Sequence, residues 1–269
     1  MCEEILESKN GTSRNLLRFK NQAIWLSAGI VIGFLSCFVL NPSETAIKVS
    51  PEPIYSTKDT FIPVEGPFFF HNEEYSVCYD GRTKNPIWVY EHLSRENLSG
   101  SAKRSNRFYE DKRLPQHLRS TLIDYRRSGY DRGHLSAVAN HKANQKAMDE
   151  TFVMTNVSPQ VGPGFNRGAW KALESRVRKI VARSLSVDVV SGPLYLPVDG
   201  IVSYQVIGAG EVAVPSHFFK VIMIEENNGE RSTQAYILPN AESANNIPLN
   251  DYRSTVRRIE RLAGIVLKL

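Results

Sequence analysis

The chain has 269 residues, of which 42% are hydrophobic and 23% are charged, so it can form a full core in one domain with a short appendage. Its 33 basic and 28 acidic residues give a net charge of +5, which only weakly favours polyanionic partners such as nucleic acid or anionic lipid. Cys2, Cys37 and Cys78 lie far apart without C-x-x-C spacing, so neither a disulfide framework nor a zinc knuckle is indicated.

The first predicted element is a membrane-spanning helix over residues 23–40. This segment, AIWLSAGIVIGFLSCFVL, carries no charge and has about the minimum length that spans a hydrocarbon core. Arg14, Arg18 and Lys20 precede it, so residues 1–22 are expected on the cytoplasmic or matrix side and the rest of the chain across the membrane. A cleaved secretory peptide is the alternative, but the run is long for one and no A-x-A site follows.

A linker is predicted over residues 41–65, followed by one folded domain over residues 66–269. The linker contains Pro42, Pro51, Pro53 and Pro63 among polar residues, and this composition resists regular structure. We find no internal repeat and no low-complexity tract in the chain. The folded domain is therefore expected to begin near Gly66.

The domain shows a mixed pattern of strands and helices that predicts an α+β fold. A polar, basic stretch over residues 94–113 lacks periodicity, and helical periodicity is best over residues 169–184 and 252–263. The regular alternation of a doubly wound sheet is missing. Strands are predicted at residues 75–79, 87–91, 152–157, 187–191, 202–207, 212–224 and 234–238.

The first cluster of candidate functional residues is the segment SGYDRGHLSAVANHK, which contains His134. Histidine is the side chain whose ordinary pKa lies near neutrality, so His134 could take a proton from water. Asp131, or a backbone carbonyl, could fix the tautomer of its ring. The alternative for a single histidine is a structural role on the surface or in the core.

The second cluster is the segment NVSPQVGPGFNRGAWKALESRVRKI, in which Asn166 follows a Gly-Pro-Gly loop. If a helix begins there, Asn166, Trp170, Glu174 and Arg178 recur at every fourth residue and share one face. The Asn166 amide oxygen could bind Mg²⁺, and Glu174 could hold one of the metal's waters. The alternatives are a helix N-cap for Asn166 and a surface ion pair between Glu174 and Arg178.

These residue types match what phosphodiester hydrolysis requires. The reaction needs a deprotonated water, neutralisation of charge on phosphorus and stabilisation of the leaving 3′-oxygen. Arg82 and Arg132 are further candidates for phosphate contact, because planar guanidinium groups donate two hydrogen bonds at once. Each arginine in isolation is more often a solvated surface residue.

The sequence resembles the DNA/RNA non-specific endonuclease family, and in particular its endonuclease G branch. The resemblance is carried by SGYDRGHLSAVANHKANQKAMDETFVMTNVSPQ and FNRGAWKALE, with VCYDGRTKNPIWVYEHL, VAVPSHFFKVIM and ILPNAES around them. It covers most of residues 66–269. One departure is FNRGAW, where endonuclease G usually has N-Q-N-A-W; this form is more similar to bacterial members.

The resemblance implies a ββα-metal finger on a central antiparallel sheet flanked by helices. It implies His134 as general base, Asn166 as ligand of Mg²⁺ (for which Mn²⁺ could substitute), and a water-binding role for Glu174. It further implies phosphate contacts for the arginines Arg82, Arg132 and Arg178. Relatives in the family form homodimers and act on DNA and RNA, leaving 5′-phosphate ends.

With the predicted membrane helix, this gives a single-pass membrane protein whose nuclease domain lies outside the cytoplasm. A bacterial inner membrane facing the periplasm is expected, and a mitochondrial inner membrane facing the intermembrane space is the alternative.

Two rival functions remain open. One is a catalytically silent, membrane-tethered nucleic-acid-binding protein on the same fold, and the intact set of His134, Asn166, Glu174 and Arg178 disfavours it. The other is a zinc hydrolase that uses His134 and His141. For His141 and His217 structural roles are expected.

Overall fold

A computed structural model describes residues 68–267, in which ten strands and three helices occur. The leader over residues 1–22, the predicted membrane helix over residues 23–40 and the linker lie outside the described residues. Within residues 68–267, no helix is long and apolar enough to cross a bilayer.

The strands are β1 (Phe68–His71), β2 (Tyr75–Asp80), β3 (Asn85–Leu93), β4 (Tyr130–His134), β5 (Val157–Val161), β6 (Ser186–Leu194), β7 (Val206–Ile207), β8 (Val212–Ala213), β9 (His217–Glu225) and β10 (Arg231–Pro239); the helices are α1 (Gln145–Glu150), α2 (Lys171–Val181) and α3 (Val256–Ala263).

Six strands form one central sheet in the order β1-β2-β3-β6-β9-β10, and every neighbouring pair in it is antiparallel. The sheet is covered on both faces, because buried side chains alternate between two apolar clusters along each strand. On β9, for example, Phe218 belongs to one cluster and Phe219 to the other. The predicted α+β class with a central antiparallel sheet is confirmed.

Helix α2 and the residue before it pack on one face of the sheet through apolar residues of the segment 169–184, for which the sequence predicted helical periodicity. Trp170, Leu173, Val177 and Ile180 are all buried in the cluster that contains Phe218. Helix α3 packs on the opposite face through Ile259. Packing against the central sheet therefore fixes the position of α2.

A separate two-stranded unit of β4 and β5 precedes α2. The two strands are antiparallel, and His134 lies opposite Val157. The chain then passes through residues 162–170 and enters α2, so two strands and a helix follow one another as a ββα unit.

Three strand predictions differ from the structure. Residues 152–156 form tight turns, and β5 begins only at Val157, because the Asn156 amide donates to the carbonyls of Ser136 and Thr151 and holds this segment compact. The predicted strand over residues 212–224 is divided at Pro215, which has no amide hydrogen to continue a ladder. Within the predicted strand at residues 202–207, only Val206–Ile207 pairs as a strand.

Candidate nuclease site

Strand β4 presents Arg132 and His134 on the same face, because side chains two residues apart on a strand point the same way. Both side chains contact Phe108. The Arg132 guanidinium carbon lies 4.2 Å from the centre of the Phe108 ring, and the His134 ring centre lies 5.2 Å from it. The predicted base and the predicted phosphate-binding arginine are therefore brought together.

Gly133 separates these two residues and is required by close packing across the strand pair. A Cβ atom at this position would lie 2.0 Å from Cδ of Gln160 on β5. Both side-chain amide atoms of Gln160 are buried and have no hydrogen-bond partner within residues 68–267. A single glutamine has no sequence signal that would have singled it out.

The His134 ring is buried between Phe108 and Phe152, and only 8% of the residue is exposed. Burial lowers the pKa of His134 to about 3, and the positive charges of Arg104 and Arg132 act in the same direction. Its Nε2 atom is buried and has no hydrogen-bond partner among the described residues. The imidazole is thus neutral at physiological pH and able to accept a proton.

Asp131 fixes the orientation of Asn166. The Asn166 Nδ2 atom donates a hydrogen bond to Asp131 Oδ2 at 2.8 Å, and Arg167 pairs with the same carboxylate oxygen. Since a carboxylate only accepts, the Asn166 amide nitrogen must face Asp131, which leaves its carbonyl oxygen for another ligand. The suggestion that Asp131 orients the His134 ring is wrong, because its carboxylate bonds to Asn166 and Arg167 instead.

The segment that carries Asn166 is not the beginning of α2. Pro163, Gly164 and Gly168 have non-helical backbone angles, and α2 begins at Lys171. Gly164 has a φ of 72°, and a Cβ atom there would lie 1.9 Å from the Glu242 carbonyl oxygen. The prediction that Asn166 shares a helix face with Glu174 and Arg178 is therefore wrong; a glycine-rich turn positions Asn166.

Glu174 and Arg178 lie one turn apart on α2, beside a buried lysine, Lys220 of β9. Burial raises the pKa of Glu174, while the charges of Lys220 and Arg178 oppose this change. The Lys220 ammonium donates to Ser191 and lies 4.5 Å from the centre of the Trp170 ring. The charge of Arg104 lowers the pKa of both Glu174 and His134, and its guanidinium carbon lies 5.3 Å from the centre of the Phe152 ring, which also contacts His134.

A hydrogen-bonded network around the buried His141 fixes the position of Arg178. Its NH1 donates to Asn140 Oδ1 at 3.3 Å, and Asn140 Nδ2 donates to Glu91 Oε1 at 3.0 Å. His141 Nδ1 lies 2.7 Å from Glu74 Oε2, and His141 Nε2 lies 2.8 Å from the Ser136 hydroxyl and 3.4 Å from Glu91.

Burial alone would lower the pKa of His141, but its bonds to Glu74 and Glu91 outweigh burial and raise this pKa to about 9. Both ring nitrogens are engaged, so His141 is structural and not a zinc ligand. The described residues contain no group of three or more histidines, cysteines and carboxylates that could hold a metal. The second expected structural histidine, His217, lies 3.1 Å from the Ser216 hydroxyl through Nδ1.

A cleft of about 630 Å³ opens beside Arg132 and Asn166. Four arginines and one carboxylate, Asp131, line it, so its charge is positive. Its walls are formed by Arg104, Phe108, Leu122, Ile123, Tyr125, Arg126, Tyr130, Asp131, Arg132, Asn166 and Arg167. The sequence did not single out Arg104, Arg126 or Arg167, although Arg104 lies in the basic stretch over residues 94–113, which lacks periodicity.

Arg82 is the one predicted site residue that the structure does not bring to this group. It lies in the turn between β2 and β3, where its side chain is 77% exposed and pairs with Asp80 at 3.7 Å. No described contact joins it to the cleft or to His134. Arg104, which the sequence did not single out, lines the cleft instead.

The residues around Asn166 fit a hard divalent cation. The amide oxygen of Asn166 is held available by Asp131, and Mg²⁺ accepts one such oxygen while keeping several waters. The orphaned Nε2 of His134 indicates that a water or another polar group belongs beside the ring.

Comparisons with known proteins agree with this geometry. Residues 63–268 match the family described as DNA/RNA non-specific endonuclease. The chain is 46% identical over 198 residues to "Endonuclease G, mitochondrial" of Bos taurus, which covers 71% of this chain and 66% of that protein. It is 45% identical over 200 residues to the Homo sapiens protein of the same name, with 72% and 67% covered.

A yeast relative and a solved structure extend the comparison. "Mitochondrial nuclease" of Saccharomyces cerevisiae is 42% identical over 211 residues, with 73% of this chain and 64% of that protein covered. The matches thus span about two thirds of the length of these curated relatives. The crystal structure titled "Crystal structure of the EndoG/EndoGI complex: Mechanism of EndoG inhibition" matches with a TM-score of 0.71 and 42% identity over 74% of this chain and 84% of that one. The chain therefore belongs to the DNA/RNA non-specific endonuclease family, in its endonuclease G-like branch.

Proposed function

We propose that the chain is a metal-dependent endonuclease that hydrolyses phosphodiester bonds in DNA and RNA with little sequence preference. The observation that carries the proposal is the state of His134, a neutral imidazole whose buried Nε2 has no partner within the described part of the chain, beside a cleft lined by four arginines. A protein that only binds nucleic acid needs the arginines but not such a base.

In this proposal His134 accepts a proton from a water molecule as its oxygen forms a bond to phosphorus. The bond between phosphorus and the 3′-oxygen breaks and this oxygen takes a proton from solvent water, which leaves a 5′-phosphate on one product and a 3′-hydroxyl on the other. Arg132 and Arg104 bind the phosphate oxygens, and their paired donors suit this charge. Arg178 would add a third positive group on the helix side.

Asn166 would hold the metal through its amide oxygen, and Asp131 keeps that oxygen correctly oriented. Bound Mg²⁺, or Mn²⁺ in its place, would neutralise charge on the phosphate and on the leaving oxygen. Glu174 would hold water on the helix side of the site. Its carboxylate is supported there by the charges of Lys220 and Arg178.

The same site explains why DNA and RNA should both be substrates. Contacts from arginines to phosphate carry no information about base identity, so selectivity between sequences should be low. Neither Arg132 nor Arg104 needs a particular sugar for a phosphate contact. This supports cleavage of both nucleic acids.

The location and assembly of the protein are also proposals. The uncharged run over residues 23–40 supports a membrane anchor, and the mitochondrial names of the relatives favour the mitochondrial inner membrane over a bacterial one. A homodimer is supported by five exposed apolar residues within one short segment, which a second copy of the chain would cover. These residues are Val198, Ile201, Val202, Tyr204 and Val206.

The proposed activity is tested by nicking of supercoiled plasmid by the full chain in detergent, with Mg²⁺ or with EDTA. We expect cleavage only with Mg²⁺, and its loss in His134→Ala and in Asn166→Ala. Far-UV circular dichroism of both variants controls for folding. If the wild-type chain binds the plasmid and never cuts it, the silent binding protein replaces the enzyme.

A further inference from the structure

Two large aliphatic side chains project from the wall of the basic cleft. Leu122 is 38% exposed and Ile123 is 68% exposed, and both line the cleft together with Arg126 and Arg132. An aliphatic side chain has no charge and no hydrogen-bonding group, so it interacts favourably with neither water nor a phosphate group. A binding partner that offers both anions and apolar faces would satisfy both kinds of side chain.

The turn over residues 121–124, which carries Leu122 and Ile123, is fixed on its buried side by hydrogen bonds to Asp124. The buried Asp124 carboxylate accepts hydrogen bonds from the Thr121 backbone amide at 2.9 Å and from the Thr121 hydroxyl at 2.7 Å. It also accepts one from the Gly210 amide at 2.8 Å. Leu122 and Ile123 are therefore fixed in an exposed position, which lowers the entropy lost on binding a ligand.

The loop at Gly208 closes against the same turn. Gly208 has a φ of 67°, and a Cβ atom there would lie 2.3 Å from the Asp124 Cα. Such close packing leaves no room for the turn to collapse toward the core. We call the exposed pair Leu122 and Ile123 the aliphatic ridge.

We propose that the aliphatic ridge contacts the faces of unpaired bases and so makes single-stranded nucleic acid the preferred substrate of the cleft. This inference rests on the proposed nuclease function and adds a substrate class to it. Four arginines line the cleft and only one carboxylate, that of Asp131, lies among them. The cleft therefore has a net positive charge and favours a polyanion. Once its phosphates lie on these arginines, a single strand can turn its bases against the ridge.

A duplex cannot make the same contact without distortion. Its base faces are stacked on one another, whereas those of a single strand are available to apolar side chains. Apolar wedges enter a duplex only when the steps are unstacked, which costs free energy. The ridge should therefore increase affinity for single strands more than affinity for duplexes.

The test compares the full chain with a Leu122→Ser/Ile123→Ser double variant. Binding of a fluorescent 20-nucleotide single strand, and of the same sequence as a duplex, is measured in EDTA over a range of salt concentrations. We expect single-strand affinity to fall about fivefold to tenfold, the lower part of the range for side chains that stack on bases. Duplex affinity should change less than about twofold, and the salt dependence of single-strand binding should stay unchanged, because no phosphate contact is lost.

Two control variants separate this effect from others. Leu185→Ser removes a half-exposed aliphatic residue that does not line the cleft and should change neither affinity. Arg126→Gln should weaken binding to both substrates and reduce the salt slope by about one. Circular dichroism of all variants checks that they are folded.

The inference is overturned if the double variant binds the single strand as tightly as the wild type does, or if both affinities fall equally. It is also overturned if single-strand affinity falls only together with the salt slope. These results leave the nuclease itself untouched, since the wild type would still cut with Mg²⁺. Failure of the wild type to cut either substrate would instead refute the proposed function.

Discussion

His134 is surrounded by groups that keep its ring neutral. Burial between two aromatic rings opposes a charged imidazolium, and Arg104 and Arg132 add positive charge nearby. The result is a base that is already deprotonated well below neutral pH. A histidine with so low a pKa accepts a proton from water only if a nearby negative charge stabilises the imidazolium that forms. The oxygens of a bound phosphate close to the ring would supply that charge.

We predict that the acid limb of the kcat/KM profile lies well below pH 6. With a pKa of about 3 in the free protein, His134 loses its proton at much lower pH than an ordinary histidine. Arg104→Gln should move this limb to higher pH, because one of the charges that lowers the pKa is removed. Single-turnover cleavage at subsaturating enzyme between pH 3 and 8 follows both limbs; an inflection near 6.5 in the wild type would contradict the account.

The sequence identified some site residues and missed others for a physical reason. Arg132, His134 and Asn166 belong to two contiguous segments whose residue types already suggest hydrolysis. Arg104 lies in a stretch without periodicity, so only tertiary folding brings it to His134. Arg82 has the right residue type, yet its turn holds it beside Asp80.

The pair of strands β4 and β5 depends on the absence of a side chain at Gly133. We predict that Gly133→Ala lowers the free energy of unfolding by about 1–3 kcal/mol, the usual cost of overpacking, since its Cβ would collide with Gln160. Urea denaturation measures the change. Gly133→Ala/Gln160→Ala should recover most of it; a single variant as stable as the wild type would contradict this packing.

The buried network around His141 joins three parts of the fold. Glu74 lies just before β2, Glu91 lies on β3, and His141 follows β4. We predict that His141→Ala costs about 3–5 kcal/mol of unfolding free energy, because the buried carboxylate of Glu91 and the part-buried carboxylate of Glu74 lose their partner. Chemical denaturation at pH 7 measures the loss, and His217→Ala serves as a control with a less buried ring.

The same network sets a pH dependence of stability. The pKa of His141 is raised in the fold, so its contribution is fully present below about pH 6.5 and disappears as pH rises through about 9. The stability of His141→Ala should therefore decline less than that of the wild type between pH 7 and 10. Parallel stability curves for the two proteins would contradict a charged His141.

For the secondary-structure elements, the regularity of apolar spacing determined which of them could be predicted from the sequence. The sequence predicted β2, β3, β6, β10 and α2 to within a few residues, because their apolar residues recur with strand or helical spacing. It did not predict β1, and it merged β8 and β9 into one strand. Strand β4 reads YDRGH and has no alternation of apolar residues, because its role is to present polar side chains. The turn at residues 162–170 was missed as well, since its conformation depends on contact between Gly164 and Glu242.

Over the whole molecule, positive charge is concentrated at the cleft although the net charge is only +5. We predict that the logarithm of DNA affinity falls linearly with the logarithm of salt concentration, with a slope of about −3.6 if each of the four cleft arginines contacts one phosphate, at about −0.9 per contact. Fluorescence anisotropy in EDTA measures the slope. A slope near zero would show that the cleft does not bind the backbone.

The central claim is that His134 is the base that deprotonates water. It is tested most directly by single-turnover cleavage of an oligonucleotide by His134→Ala, with Mg²⁺ and with or without added imidazole. We expect the rate to fall by about 10²–10⁴, as for loss of a general base, and imidazole to restore part of it. A folded His134→Ala chain that cuts at the wild-type rate without imidazole would contradict the account.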